Sequence, residues 1–219
     1  KDSKIWKIAM WGSYFDFEII KKHEKNSLKK IFKSKEWFKG TGLHVPPGNY
    51  NKEENIISPE KIIDTNNISR YLLLKDSLIN NETNYLKIEE NLVKAPFLIV
   101  KKGITKGNVL ASFVDFDAYF LNRVYGIKSD NVESLKILLS YFNSKFAKYF
   151  QFNYSSAWGL KYDDMLDNEL FALPNIFDFL NEEKKQRILL FIDEIILSKK
   201  ADENNGSKTN ISHLEKEID

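Results

Sequence analysis

Gly40-Thr41-Gly42 is the first place in this 219-residue sequence where spacing suggests chemistry. Glycine-rich turns cradle phosphates through backbone amides when an apolar strand precedes them and a helix N-terminus follows. Here Val45-Pro46-Pro47-Gly48 follows, and two prolines bar a helix from opening. The glycines therefore predict a turn that brings backbone close to a neighbour. The double proline is also a feature of turns that bind a target amine. Val45, however, has no side-chain acceptor and Gly48 has no ring to stack on a base. Asp115/Asp117 and Asp163/Asp164 are paired carboxylates, and Lys101 and Lys102 add the lysines of an acid-and-lysine nuclease set. The Glu-x-Lys spacing of such a set is missing, so these carboxylates read as solvated or capping groups. With no cysteine and only His23, His44 and His213, a zinc site is not expected.

Cations interleaved with aromatics and small polar residues carry more. Lys39, Thr41 and His44 form one such segment, and Tyr154, Ser155, Ser156, Trp158, Lys161 and Tyr162 form another. Lys101, Lys102 and Lys106 lie between them, with Arg123, Lys145 and Lys148 further along. Cations neutralise phosphates, while polar and aromatic side chains on loops reach base edges. The rival reading is a solvated lysine face over a core of aromatics. Charge asymmetry suits the first, and equally a chain made rich in lysine and asparagine by biased codon usage. Residues 1–162 hold 26 Lys and Arg against 17 Asp and Glu, whereas residues 163–219 hold 7 against 14. A basic body with an acidic tail suits a polyanion that meets the body alone.

Composition bounds the rest. A sequence with 42% hydrophobic and 14% aromatic residues can build a buried core. No apolar run is long enough to span a bilayer, so no membrane partner is expected. The lack of cysteine fits a reducing cytosol, and a cytoplasmic location is the expectation.

The elements that hold these residues read as follows. Lys4 to Trp11 is an apolar start closed by Gly12, and Ser13 caps a helix running to about Lys25. A short helix covers Ser27 to Lys33, and residues 49–69 read as loop. Tyr71–Leu74, Phe97–Lys101, Asn108–Ser112 and Asp117–Ile127 predict strands, with turns at Lys102-Gly103 and Lys106-Gly107. Val132 to Phe150 has helical spacing, with Leu135, Leu138, Leu139, Phe142, Phe146 and Tyr149 on one face. Leu173-Pro174 ends the body, Glu182 to Lys199 is an amphipathic helix, and Ile211 begins another. The fold class is α+β: a mixed, largely antiparallel β domain over 1–175 with flanking helices, then a C-terminal helical appendage over 176–219. Both ends read as cut from a longer chain.

Four blocks of this sequence resemble the C-terminal TaqI-like target-recognition region of N-6 adenine DNA methyltransferases of restriction–modification systems. Ile5-Trp6-Lys7-Ile8-Ala9-Met10-Trp11-Gly12-Ser13 with Asp16 is similar to the segment after the catalytic domain of large members. Leu138-Leu139-Ser140-Tyr141-Phe142-Asn143-Ser144-Lys145-Phe146 is similar to the family's LLxxLNSKL helix, with Phe142 and Phe146 in place of leucines. Ser156-Ala157-Trp158-Gly159 followed by Glu169-Leu170-Phe171-Ala172-Leu173-Pro174 resembles its glycine loop and Leu-Pro ending. Leu214-Glu215-Lys216-Glu217-Ile218-Asp219 resembles its LExEID segment.

The resemblance implies a module that lies across double-stranded DNA. Lysines would hold phosphates and loop side chains would enter the major groove, for a methyltransferase domain that flips an adenine and methylates N6. Some relatives also carry a nuclease domain. The family's cofactor loop and N-P-P-Y type motif have no counterpart here. S-adenosylmethionine is thus expected to belong to the parent's catalytic domain, and this piece to be inactive alone. The alternative is a protein–protein interaction module of a restriction or phage-defence complex.

Overall fold

The computed structural model describes residues 3–48, 50, 52–156, 158–159, 164–205 and 210–218. Helices α1 (Ser3–Trp11) and α2 (Tyr14–Glu24) lead into strands β1 (Trp37–Thr41), β2 (Ile56–Ile57), β3 (Lys61–Ile63), β4 (Tyr71–Leu72), β5 (Leu78–Asn80) and β6 (Tyr85–Leu86). Strands β7 (Phe97–Lys101), β8 (Ala111–Val114), β9 (Tyr119–Phe120) and β10 (Val124–Ser129) follow. Helices α3 (Val132–Asn143), α4 (Lys145–Tyr154), α5 (Asp167–Leu170), α6 (Glu182–Asn205) and α7 (Ser212–Ile218) complete the described chain. The fold is mixed α+β, as the sequence predicts.

The main sheet runs in the order β1-β10-β7-β8-β4, antiparallel except for the β4–β8 pair. Its middle strands are apolar on both faces, because each face has a core to fill. Leu98, Val100, Ala111, Tyr125 and Ile127 face a cluster that contains Leu135, Leu138, Leu139 and Phe142 of α3. Phe97, Ile99, Val114 and Val124 alternate with them and face Ile63, Leu73, Leu92 and Phe120. Full burial of such side chains contributes about 1.5–3 kcal/mol each. Of two small sheets, β5-β3-β9 gives Ile63 and Phe120 to this second cluster, while Tyr85 of β2-β6 packs with Leu43 and Ile62 in a third. Ile192, Ile195 and Ile196 of α6 and Leu214 of α7 belong to the first cluster, so the C-terminal helices pack on the body.

Several local readings hold. Ser13 caps α2 through its hydroxyl, and Asp16 returns the bond to the Ser13 amide at 2.6 Å. Leu170, Phe171 and Leu173 are wholly buried, and Leu173 accepts from the Leu28 amide at 2.8 Å, so the Leu-Pro block anchors the segment that precedes β1.

Others need correction. The helix expected over 132–150 is two helices. Asn143 turns its amide onto β8, accepting from the Ala111 amide at 3.3 Å and donating to the Ala111 carbonyl at 2.9 Å. Ser144 leaves helical conformation and its hydroxyl caps α4 by accepting from Ala147. The expected strand over 117–127 is split by a turn at Asn122-Arg123, which separates β9 from β10. Residues 49–69 include β2 and β3, whose pairs of isoleucines are too short to show alternation.

Candidate nucleic-acid interface

Strand β1 is one edge of the main sheet, and period-2 alternation puts Lys39 and Thr41 on the same face. The Lys39 ammonium lies 2.5 Å from an Asp167 carboxylate oxygen and 4.6 Å from the centre of the Phe171 ring. Phe171 meets Tyr125 edge to face at 5.6 Å. Tyr125 in turn lies under the Lys102 ammonium at 4.6 Å. Lys39, Phe171, Tyr125 and Lys102 thus form a row of two rings flanked by two cations, drawn from three distant stretches of sequence. Burial lowers the Lys102 pKa, opposed by Asp164 and Asp167. Burial and then the charges of Asp167, Glu169 and Asp164 push the Tyr125 phenol up to about 12.

Beside this row stands a second cluster. Ring nitrogen Nδ1 of His44 lies 3.1 Å from the Asn122 side-chain amide nitrogen, and Nε2 lies 3.1 Å from Thr41 Oγ1. The amide can only donate, so Nδ1 accepts, and a neutral ring carries its hydrogen on Nε2 and donates it to Thr41. The Thr41 hydroxyl hydrogen and the Asn122 carbonyl oxygen are then available to another molecule, one donor and one acceptor.

The backbone beneath them is fixed by the glycine turn. A Cβ on Gly42 would lie 2.1 Å from the Phe120 carbonyl oxygen and 2.5 Å from that of Leu121. The Leu43 amide donates to Phe120 at 2.7 Å and the Asn122 amide donates to Leu43 at 3.1 Å. The neighbour that these glycines approach is therefore the chain itself.

The other expected residues divide. Lys101 ends β7, half-buried, and Lys106 stands exposed at the tip of the Thr105–Asn108 turn. Lys106 holds a φ of 51° there and Gly107 one of 71°. The expectation that Tyr154, Ser155 and Trp158 present themselves to a duplex is revised, because all three are buried. Tyr154 stacks on Phe150, Trp158 meets Phe152 edge to face, and Ser155 accepts from the Lys7 ammonium at 3.3 Å. Ser156 is half-buried, and its amide donates to Glu169 at 2.6 Å. The other Glu169 oxygen accepts from Leu166 at 3.0 Å, so one buried carboxylate ties both flanks of this loop. Lys161 and Tyr162 lie outside the described residues. The chain that follows them returns to the site: Met165 donates to the Lys102 carbonyl at 2.9 Å, and Gly103 bridges Asp164.

Asn122, Tyr125, Asp167 and Phe171 complete the site, and reading for cations did not select them. A polar residue in a turn between two apolar strands, as Asn122 is, was the available signal. Of the carboxylates considered for catalysis, Asp164 stands beside Lys102, Asp163 lies outside the described residues, and Asp115 and Asp117 are engaged elsewhere. Asp115 pairs with Lys200, and Asp117 pairs with Lys94 at 2.9 Å. Among the described residues no three His, Asp or Glu side chains gather as metal ligands, and no helix is long and apolar enough to cross a membrane.

No family model and no curated protein matches this sequence. Among solved structures, it is similar to the type IIG restriction endonuclease BpuSI over 82% of this chain and 28% of that one, with TM-score 0.48 and 10% identity. A structure from a type I restriction–modification assembly matches over 93% of this chain and 50% of its own, with TM-score 0.37 and 10% identity. The HsdS subunit from Thermoanaerobacter tengcongensis matches over 84% and 43%, with TM-score 0.35 and 9% identity. The chain thus spans half or less of the structures it resembles.

Proposed function

We propose that this chain is the sequence-specific DNA-recognition module of a restriction–modification adenine-N6 methyltransferase. It binds duplex DNA for a catalytic domain that holds S-adenosylmethionine. The observation that carries this reading is the convergence of β1, the turn at 122–123 with the start of β10, and the segment 164–171. They bring Lys39, Lys102 and the Thr41–His44–Asn122 cluster onto one side of the molecule. Cations set beside an exposed donor and acceptor meet the two needs of duplex recognition, phosphate neutralisation and base-edge hydrogen bonding. The four sequence blocks similar to the target-recognition family support the same assignment.

A second reading, a module that also docks on protein, is favoured by α1 and α2. Ile5, Trp6, Met10, Trp11, Tyr14 and Phe15 are all exposed there. We assign that face to the methyltransferase domain, which leaves the opposite chemistry of β1 for DNA.

The test is selection of duplexes from a randomised library by the enzyme that contains this chain. The expected result is enrichment of one short motif, with affinity falling as salt rises, steeply if several phosphates are neutralised. Recovery of unenriched sequence at low salt would overturn the assignment.

A further inference from the structure

Residues 21–35 hold seven lysines and one acid, Glu24, a surplus of six in a chain whose net charge is +2. The lysines lie at the end of α2, on a 3₁₀ turn over Leu28–Lys33 and on the approach to β1. All seven are exposed, and among the described residues none forms an ion pair. Lys30 donates to the Asn26 side chain at 2.8 Å and Lys21 lies 5.6 Å from the centre of the Phe17 ring, contacts that leave the charge in place. Asp178 reaches this stretch, but the side-chain amides of Asn26 and Asn175 occupy it. The dipole of α2 accounts for Lys21 and Lys22 in its last turn. Lys29, Lys30, Lys33 and Lys35 lie beyond it. Like charges this dense repel one another, a cost that a polyanion removes.

The run is locked to the row that contains Lys39. The Lys29 amide donates to the Phe171 carbonyl at 3.2 Å. Phe32 meets the Phe171 ring at 4.9 Å and the Trp37 ring at 6.0 Å, with the Lys39 ammonium 5.7 Å from its own centre. Trp37 and Thr41 are the two ends of β1, about 13 Å apart at roughly 3.3 Å per residue. The lysine run therefore flanks Lys39 at one end of the strand, and the Thr41–His44–Asn122 cluster flanks it at the other. Residues three apart eclipse in a 3₁₀ turn, which sets Lys30 and Lys33 in line, about 6 Å apart along its axis. We infer that Lys29, Lys30, Lys33 and Lys35 form a phosphate track that holds the duplex backbone beyond the bases which the cluster reads. Such a track carries no sequence information and lengthens the footprint on one side of the motif. The inference rests on the duplex-recognition reading and adds a flanking contact to it.

Anisotropy titrations of the full protein across a salt series test it with three duplexes. One is the selected motif alone, one is the motif extended by a helical turn of about ten base pairs at each end, and one is a random sequence of the longer length. Each phosphate neutralised adds about 0.9 to the slope of log K on log salt, so the extended motif should show a slope steeper by about two to three units than the short one. Lys29→Gln, Lys30→Gln and Lys33→Gln together should remove that difference and weaken binding to the random duplex. The ratio of affinities for the extended motif and the random duplex should stay unchanged, because phosphate contacts serve every sequence alike. The corresponding three arginine substitutions keep the charge and should keep the steeper slope. Indifference of both slope and random-duplex affinity to the glutamine set would overturn the inference. So would glutamine variants that lose binding to phosphatidylserine vesicles while duplex binding stays intact, since the run would then belong to an anionic membrane surface. If library selection yields no motif, the base-reading assignment fails alone, and the random duplex still reports on the lysines.

Discussion

Lys39 and Asp167 meet at 2.5 Å although they stand 128 positions apart, one on the sheet edge and the other on α5. Asp167 is half-exposed, and under the proposed function it would compete with a DNA phosphate for the same ammonium. An exposed pair of this kind contributes about 0–1 kcal/mol to stability, so either partner can be changed without unfolding the protein. Asp167→Asn should raise affinity for every duplex and steepen the dependence of log K on log salt by about one unit. Lys39→Ala should do the reverse. Anisotropy titrations of the parent enzyme across a salt series read both slopes. Parallel, unchanged slopes would place the phosphate contacts elsewhere.

How far the sequence alone reached can be judged from such residues. Ser13 is recognisable as a cap because the capping box is local, and Asp16 completes it three residues on. Lys39, Thr41, His44 and Lys102 could be nominated because cations and small polar residues near glycines are visible in the string. Asp167 could not, because a partner 128 residues away is fixed only by the way the chain returns from α4 to the sheet. Tyr154 and Trp158 carry both an aromatic body and a polar edge, and composition does not say which side of the loop faces inward. Packing on Phe150 and Phe152 decides it. The two-residue strands β2 and β6 gave no periodic signal, since alternation needs at least four residues to show.

Asn143 supplies a test of the break between α3 and α4. Its buried amide satisfies both the amide and the carbonyl of Ala111, and donates to Leu139 at 3.0 Å as well. Asn143→Leu keeps the bulk but leaves two β8 backbone groups without partners, at about 1–3 kcal/mol each. Urea unfolding of this variant should show a midpoint shifted by that total, with Asn143→Asp intermediate because one acceptor is retained. A loss below about 1 kcal/mol would mean that water replaces the side chain.

Lys7 predicts a pH dependence. It is buried between α1 and α4, donating to the Phe152 carbonyl at 2.7 Å. Burial pushes its pKa down to about 8, against the opposing charge of Glu169. Between that value and the ordinary 10.5, the unfolded chain keeps a proton that the folded chain releases. Stability contributed at this site therefore rises with pH from about 8 upward and is at its lowest below 8. Lys102, lowered in the same direction, adds to the rise. Lys7→Met should flatten the slope of unfolding free energy between pH 8 and 10 relative to the parent chain. An unchanged slope would show that Lys7 stays charged or reaches water.

The glycine turn and the histidine it carries make separable predictions. A methyl group on Gly42 would press into the Phe120 and Leu121 carbonyl oxygens, which are backbone and cannot swing aside. Gly42→Ala should therefore lower stability by about 1–3 kcal/mol and, by displacing the turn, weaken discrimination between sites. Thr41→Val leaves the backbone and shape in place but removes the hydroxyl that accepts from His44 and donates outward. That variant should keep its melting temperature and its salt slope, because no phosphate contact is lost. Its affinity for the cognate site alone should fall by about 1–3 kcal/mol if the hydroxyl reads a base edge. His44→Ala frees both neighbours to rotate and should reproduce the loss with less stereospecific penalty against near-cognate sites. Competition assays with single-base variants of the selected motif distinguish these outcomes from a general weakening. Equal losses by Thr41→Val on cognate and unrelated duplexes would assign the cluster to the sugar–phosphate backbone instead of the bases.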